Sequence, residues 1–588
     1  MNIFKFYKDL FSAAVLEIAD ENNVEISNIE RFSVEPTKDE KNGDIACNAA
    51  MVFLGDFKTV EGLNNPRKLA EVLLSKLNDK FILKTEIAGP GFINIFLKDE
   101  IYQELVADLI NNEFEFPKIS DGEKINLEYA SPNPTGPIHV GHTRGSIYGD
   151  VLANLLSKTG YDVLKEYYIN DAGGQIITLL KSAFLRYQEA CGKEIVIPEG
   201  LYPGEYLIEV GEKIKKEFGE DLLQKDQEEV LPIIRDLVIG EMVDVIKRDL
   251  LELGIIHDSY FFEKENLHDT NKIAQAIEKL KQQDLIYVGK LELPKTKKGV
   301  GAVKPEGYDD QDQTLFRSSK FGDDQDRVVI KSDGNYTYFA GDLAYILSKF
   351  ERGATKFIMP LGFDHSGYVK RLSAATKALT NSKAELKVVL CQLVKFVKDG
   401  KPLKMSKRAG NFITAKEVID EVGADVLRFI MLTRKNDAPF DFDLAKVIEQ
   451  SKDNPIFYVQ YAHARCCSIL RNLKEEGIEY SDKASLKIIS NLNKKAEISL
   501  IKKIANFERT IEMATVNFEP HRIAFYLQDL ASELHSLWSK GLEDPELRFI
   551  IKDNSEKSQA KAYLAIATKK IIKIGLDIFN IKALDEMR

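Results

Sequence analysis

Glu128-Tyr-Ala-Ser-Pro-Asn-Pro-Thr-Gly-Pro-Ile-His-Val-Gly-His142 is the stretch whose reading decides the fold. It grows out of Lys124–Ala130, which reads as a short strand. Pro132, Pro134 and Pro137 then forbid continued strand or helix, because each lacks an amide donor and fixes its own φ. A helical pattern starts at about His139 and runs to about Lys158, with Gly160 just past its end as a C-cap. Val163–Ile169 reads as the next strand. The order strand, turn, helix, strand implies a parallel sheet of Rossmann type. Ligands of such sheets sit at the carboxyl ends of the strands.

That placement gives the turn a chemistry. The start of a helix attracts phosphate through its free N–H groups and its dipole. His139 and His142 are three residues apart, so both imidazoles project from one side of the first turn. Their N–H groups can donate to phosphate oxygens. Gly141, Gly145 and Gly149 recur every four residues and leave one helix face bare, which predicts something packed close to that backbone. A flat purine over Gly141 is one candidate, and a crossing helix is the alternative for the other two. A second basic element, Lys404-Met-Ser-Lys-Arg408, follows a strand read over Val388–Phe396 and an Asp399-Gly400 hairpin turn. It precedes Thr414 and Glu417, spaced as a capping box. Three cations in a loop between strand and helix suit a triphosphate or pyrophosphate, for which Lys supplies a compact point charge.

The remaining chain frames these elements. Of 588 residues, 44 % are hydrophobic and 29 % charged, which excludes a disordered or fibrous chain. The net charge of −11 lacks the bulk basic signature of a small DNA-binding domain, although a large RNA enzyme can carry local basic patches. Residues 1–117 are acidic, net −9, and read as a small α+β module closing with Gly89-Pro-Gly91 before a strand at Phe92–Leu97. Residues 118–440 alternate strand and helix, with a mostly helical, charged insertion at about 175–290. Residues 441–588 are helical throughout with net +1, and carry the pairs Lys494-Lys495, Lys502-Lys503 and Lys569-Lys570. Those pairs are either solvated helix faces or a surface for a polyanion. The fold class is therefore α/β, with an α+β domain before the parallel-sheet domain and an all-α domain after it. Five cysteines form no C-x-x-C and show no zinc-ligand spacing, so no metal site and no zinc are expected. The sparse, odd cysteine count fits a reducing compartment. No run approaches the roughly 18 apolar residues of a membrane span. A soluble cytoplasmic protein without membrane contact is expected.

His139-Val-Gly-His142 together with Lys404-Met-Ser-Lys407, in that order, resembles the paired signatures of class I aminoacyl-tRNA synthetases. The wider text resembles the arginyl-tRNA synthetase family. Ser131 through His142, Asn170-Asp-Ala-Gly-Gly-Gln175, Asn454-Pro-Ile-Phe-Tyr-Val-Gln-Tyr-Ala-His-Ala-Arg465, Gly43-Asp-Ile-Ala-Cys-Asn48 and Gly89-Pro-Gly-Phe-Ile-Asn94 all match it, so the resemblance spans the whole chain. It implies ATP-dependent joining of L-arginine to its tRNA through an arginyl-adenylate, with Mg2+, in a monomer. It further implies that activation itself needs tRNA. Degenerate signatures would instead mark a non-catalytic tRNA-binding relative, but both histidines and both lysines are intact here. Relatives specific for cysteine would want a Cys/His metal site, and those for large aliphatic residues an editing insertion.

The resemblance assigns residues in turn. His139 and His142 face the α-phosphate. Lys404 and Lys407 clamp the β- and γ-phosphates, with Met405 and Ser406 between them in the ATP loop, and Gly141 is the adenine platform. Some members lack the second loop lysine and carry one upstream of the first signature; Gly136 there and Lys407 here match the conventional loop. Tyr338 and Asp342, i, i+4 on one helix, match the positions that hold the guanidinium, and Glu128, at the end of the first strand, is one further candidate to pair it. Ser131 and Asn133 meet the α-amino and carboxylate end, and Gln175 lines the same cavity. His365 is a further contact, in Gly362-Phe-Asp-His-Ser366, where Phe363 and Ser366 depart from the family's usual text. Met587 matches a terminal residue that packs near the anticodon, Tyr458 and Tyr461 are either tRNA contacts or core residues at helical spacing, and residues 1–117 meet the tRNA elbow.

Overall fold

Five strands form the central sheet: β1 (Lys124–Glu128), β2 (Asp162–Ile169), β3 (Ser259–Phe262), β4 (Lys356–Gly362) and β5 (Glu385–Cys391). They lie in the order β5-β4-β1-β2-β3, and every neighbouring pair is parallel. The chain goes from β1 to β2 and β3 on one side, then returns to β4 and β5 on the other. Its direction reverses beside β1, where a crevice opens at the carboxyl ends. The computed structural model describes residues 2–291, 309–398, 401–402, 413–449 and 454–587. Among them, no helix is long and apolar enough to cross a membrane.

Three readings of the sequence need correction. The region 175–290 is mostly helical, as expected, but it is not purely an insertion, since it supplies β3, an edge strand of the parallel sheet. That strand is four residues long, too short for a period to show. The region also ends in Ile286–Gly289, which joins Gln313–Phe316 and Arg327–Ile330 in a separate antiparallel sheet. The strand expected over Val388–Phe396 is two. β5 ends at Cys391, and Val394–Lys398 pairs with Phe440–Asp443 in another sheet. The break falls where the Gln392 amide donates to the Asn436 carbonyl and its own carbonyl accepts from Arg144. The helical C-terminal region accordingly starts after the strand at Phe440–Asp443. Lys398 pairs with Lys401 in antiparallel register; Asp399 and Gly400, read as a hairpin turn, lie outside the described residues.

Helix α1 (Thr143–Lys158) runs from the signature turn and is buried almost all round. Its glycines do not share one close neighbour. A Cβ on Gly149 would lie 2.4 Å from the Tyr129 ring, one on Gly141 would lie 2.9 Å from the His139 ring, and one on Gly145 would meet nothing within 4 Å. Gly160 has φ +97°, and a Cβ there would lie 2.2 Å from the Ser120 carbonyl oxygen. Both the helix stop and the close approach therefore demand glycine.

The acidic N-terminal region and the basic pairs of the C-terminal helices explain each other. Asp44 binds Lys502 at 2.5 Å, Glu35 binds Arg509 at 2.7 Å and Glu40 binds Lys495 at 2.8 Å. Lys570 donates to the Leu109 and Asn112 carbonyls. One lysine of each pair thus contacts the N-terminal region, while Lys503 instead binds Asp529 within its own region.

A buried charge array underlies the sheet. Parallel register sets Glu128 beside Glu166, so both carboxylates leave one face of β1 and β2. Helix α2 (Tyr338–Glu351) crosses that face and, with Arg352 just beyond it, answers them with cations. Lys349 donates to Glu128 at 2.6 Å, while Arg352 and Tyr345 donate to Glu166. Burial pushes the Glu166 carboxyl up, but the Arg352 hydrogen bond, the Lys349 and Arg352 charges and the Asn126 amide prevail and hold it at about 2. His257 and His535 are both lowered to about 4, by burial first.

The signs fix an expected pH profile. A histidine depressed on folding stabilises only while neutral, so stability declines as pH falls from about 6.5 through 4. The Glu166 contribution follows, lost as pH falls from about 4.5 through 2. Glu166→Ala, which strands Arg352, costs about 3–5 kcal/mol at neutral pH and loses the lower-pH slope in denaturation midpoints read against pH. By the same assay Gly149→Ala costs about 1–3 kcal/mol through the Tyr129 clash, whereas Gly145→Ala is neutral or stabilising by up to about 1 kcal/mol.

Candidate active site

The signature turn is built by long-range bonds from the helices around it. After Glu128 the chain kinks at Ala130, which has φ +52°, a rare conformation for a residue with a side chain. His257 holds that kink in place. Its ring stacks on Tyr129 at 4.3 Å, and its Nε2 lies 3.1 Å from the Tyr129 carbonyl oxygen. Tyr167 donates its hydroxyl hydrogen to the Pro132 carbonyl at 2.7 Å, and Tyr206 donates to that of Thr135 at 2.7 Å. The Asp249 carboxylate accepts the Ile138 amide at 2.8 Å; burial raises this carboxyl, partly offset by that bond. These four residues are missed by reading motifs alone, since their roles depend on contacts far along the chain.

His139 and His142 do come together. Their rings stack with centroids 3.5 Å apart and planes 26° from parallel. The regular α-helix begins later than expected, at Thr143, and residues 140–142 form a tighter 3-10 turn. Gly141 is crowded by the His139 ring itself, which gives its missing side chain a reason independent of any nucleotide. Lys404, Met405, Ser406 and Lys407 lie outside the described residues. The chain that follows them does reach the histidines. Val140 donates to the Ile413 carbonyl at 3.0 Å, Ala415 donates to the Ile138 carbonyl at 2.8 Å, and His139 pairs with Thr414 as an antiparallel bridge. Thr414 also forms the expected capping box with Glu417.

Beside this pair, at the carboxyl edge of the sheet, lies an acidic cluster. Tyr168, near the end of β2, is its centre. Burial first, then the charges of Glu263 and Asp342, a hydrogen bond to Glu263 and the charge of Glu128 all push its hydroxyl well above the ordinary phenol range. The charges of Glu128, Glu263 and Asp342 thus all act on one hydroxyl, to which Glu263 is hydrogen-bonded. Glu263 is absent from the sequence reading; it follows β3, the strand that reading did not find. The Asn170 amide, with its nitrogen turned toward Glu263, donates to it at 3.0 Å, and His268 lies 3.2 Å from its other oxygen. Ser131 accepts the Tyr168 amide at 3.0 Å, and Asn133 donates to Gln175 at 2.7 Å. Tyr338 is 79 % exposed at the start of α2, four residues before half-buried Asp342. His365 is exposed in the turn after β4, 3.7 Å from Asp364.

The expected tRNA contacts lie on or beside α3 (Pro455–Glu475). Tyr458 packs partly into the core against His535. Tyr461 is exposed and accepts a hydrogen bond from Arg465, whose guanidinium also lies over the Tyr461 and Trp538 rings, 4.5 and 4.9 Å from their centroids. The other face of α3 clasps the chain terminus: Gln460 binds Lys582 and Leu584, and His463 binds the Leu584 carbonyl at 2.9 Å. Cys467 donates to Asp585 at 3.3 Å, and Met587 follows half-buried. His463, Cys467 and Asp585 thereby meet in space, a grouping that cysteine spacing does not reveal.

Comparison with known proteins agrees along the whole chain. Residues 5–97 match the family model for the arginyl-tRNA synthetase N-terminal domain. Residues 104–466 match the class I (R) catalytic domain, and residues 459–587 the DALR anticodon-binding domain. The arginine–tRNA ligase of Parvibaculum lavamentivorans is 47 % identical over 595 residues, and that of Rhizobium rhizogenes 48 % over 600, each covering both chains completely. The solved arginyl-tRNA synthetase of Thermus thermophilus shares the fold, with TM-score 0.71 at 18 % identity over the full length of both. With both signatures' surroundings joined at the carboxyl edge of the sheet and these matches end to end, the chain belongs to the arginyl-tRNA synthetase family of class I.

Proposed function

We propose that the crevice beside β1 joins L-arginine to its tRNA at the expense of ATP. The arginine carboxylate attacks the α-phosphate, the bond to pyrophosphate breaks, and arginyl-adenylate forms. A ribose hydroxyl at the tRNA 3′ end then attacks the arginyl carbonyl and AMP leaves. The substrate carboxylate is itself the nucleophile, so the protein acts through positioning and charge stabilisation. The pairing of His139 with Thr414 carries this reading, because it brings the chain after the lysine loop to the stacked imidazoles.

In this assignment His139 and His142 donate to the α-phosphate as charge develops. Lys404 and Lys407, with Met405 and Ser406, hold the outer phosphates, and Gly141 lets adenine approach. Glu128 and Asp342, with Tyr338 over them, pair the guanidinium, and Glu263 adds a third carboxylate. Ser131 and Asn133 receive the α-amino and carboxylate end, with His365 at the rim. Mg2+ travels with the ATP phosphates; the only grouping of three metal-capable side chains among the described residues, His463, Cys467 and Asp585, includes none of the residues assigned to ATP here. Tyr458, Tyr461 and Met587 meet the anticodon region, where splayed bases stack on aromatic and Arg planes. Residues 1–117 meet the tRNA elbow. The working form is a cytoplasmic monomer.

Purified protein is expected to charge tRNA with arginine, and complete failure to do so rejects the proposal. ATP–pyrophosphate exchange is expected near zero with arginine alone and restored by tRNA. Asp342→Ala raises the KM for arginine by about 10- to 100-fold, since a guanidinium loses its charged partner; an unchanged KM removes Asp342 from the pocket. His142→Ala and Lys407→Ala lower kcat by about 10²–10³ with smaller effects on ATP binding. Equal loss of ground-state ATP affinity argues against those two roles.

A further inference from the structure

Helix α2 and the residue after it carry Tyr338, Asp342, Tyr345, Lys349 and Arg352 at spacings of four, three, four and three, one continuous stripe. The upper two belong to the proposed arginine pocket. The lower three enter the sheet and bind its two glutamates. Lys349 is the member of this stripe that touches Glu128. Its side chain is 1 % exposed, and its ammonium lies 2.6 Å from Glu128 Oε2 and 4.1 Å from the centre of the Tyr345 ring. The residual exposure of the pair belongs to the Glu128 side chain, at 10 %. Among the described residues Glu128 Oε1 takes no hydrogen bond, so one oxygen is held and one is open.

The groups around it make a cation at this point necessary. Glu166 stands beside Glu128 in register, and Glu263 and Asp342 share Tyr168 with it. Arg352 is engaged by Glu166. A second acid beside Glu166 needs its own buried counter-charge to remain an anion in fixed orientation.

We propose that Lys349 is a positioning residue for arginine recognition: its buried ammonium fixes one oxygen of Glu128, so that the other stands ready for the substrate guanidinium. The proposal rests on the reading of Glu128 as an arginine ligand. Lysine does this without competing for the pocket, because its side chain comes from α2 two turns beyond Asp342 and is closed off from solvent.

Lys349→Met keeps the bulk and removes the charge, and Lys349→Arg keeps the charge. Both are compared with the parent and with Glu128→Gln in steady-state tRNA charging, with KM measured separately for arginine and ATP. Inhibition by citrulline, the uncharged isostere of arginine, is measured alongside. Lys349→Met is expected to raise the arginine KM at least tenfold, to leave the ATP KM within threefold, and to narrow the preference for arginine over citrulline. Lys349→Arg is expected to stay within threefold of the parent for both substrates. Should the methionine variant not fold, Lys349→Gln, which retains a donor but no charge, is expected to show the same rise. An arginine KM within threefold of the parent in a folded uncharged variant overturns the proposal. So does a parallel rise in both KM values, or an arginine variant as impaired as the methionine one. If Glu128→Gln also leaves the arginine KM unchanged, the Glu128 reading itself is what fails.

Discussion

Two glutamates side by side on adjacent parallel strands are the constraint around which the catalytic region is arranged. Glu128 and Glu166 share a register position and leave the same face of the sheet, in surroundings nearly closed to water. Left alone, two such carboxylates repel and cannot both ionise. Lys349 and Arg352 supply the counter-charges, and Tyr345 and Asn126 add hydrogen bonds. Replacing such an array with hydrocarbon would often stabilise a fold, so its retention is better understood through what it orients. It locks α2 against β1 and β2 at one rotation about the helix axis, and Tyr338 and Asp342 share the stripe that this rotation fixes.

A second set of bonds ties the signature turn to distant parts of the chain. Arg428 shows the reach of this bracing: it donates to Asp150 on α1, to the Leu253 carbonyl and to the Phe579 carbonyl, while nearly wholly buried. Arg144, in the first turn of α1, donates to the Gln392, Lys435 and Ala438 carbonyls. Helix α1 is therefore fixed to the sheet, to the segment before the C-terminal helices and to those helices together. A site that works by preorganised donors depends on this kind of support, since a displacement of about an ångström is enough to cost such a site its rate.

The contact between the acidic N-terminal region and the basic C-terminal helices follows the same physics at lower burial. Pairs such as Asp44–Lys502 and Glu35–Arg509 are partly exposed and individually weak. Their joint effect is to orient one region on the other, with Gln103 and Asn111 adding bonds to the Leu492 and Ala484 carbonyls. Part of the acidic charge of the N-terminal region thus serves internal complementarity.

Local chemistry made much of this protein legible before any coordinates. Prolines 132, 134 and 137 announce the turn, Gly160 announces the helix stop, and the Thr414–Glu417 spacing announces its capping box. Each acts over a few residues, so neighbours in sequence are enough to read it. The i, i+4 pairing of Tyr338 and Asp342 was also visible, and extending that stripe by two further turns would have reached Lys349. What only the tertiary structure decided is whatever depends on register and on distant partners: that β3 completes the sheet and brings Glu263 to the cluster, and that the His139 ring packs against Gly141. The same holds for the return of the chain at Ile413 to Val140. Those outcomes are set by which strands lie side by side, and strand order is chosen by the burial of the whole sheet rather than by any short run of residues.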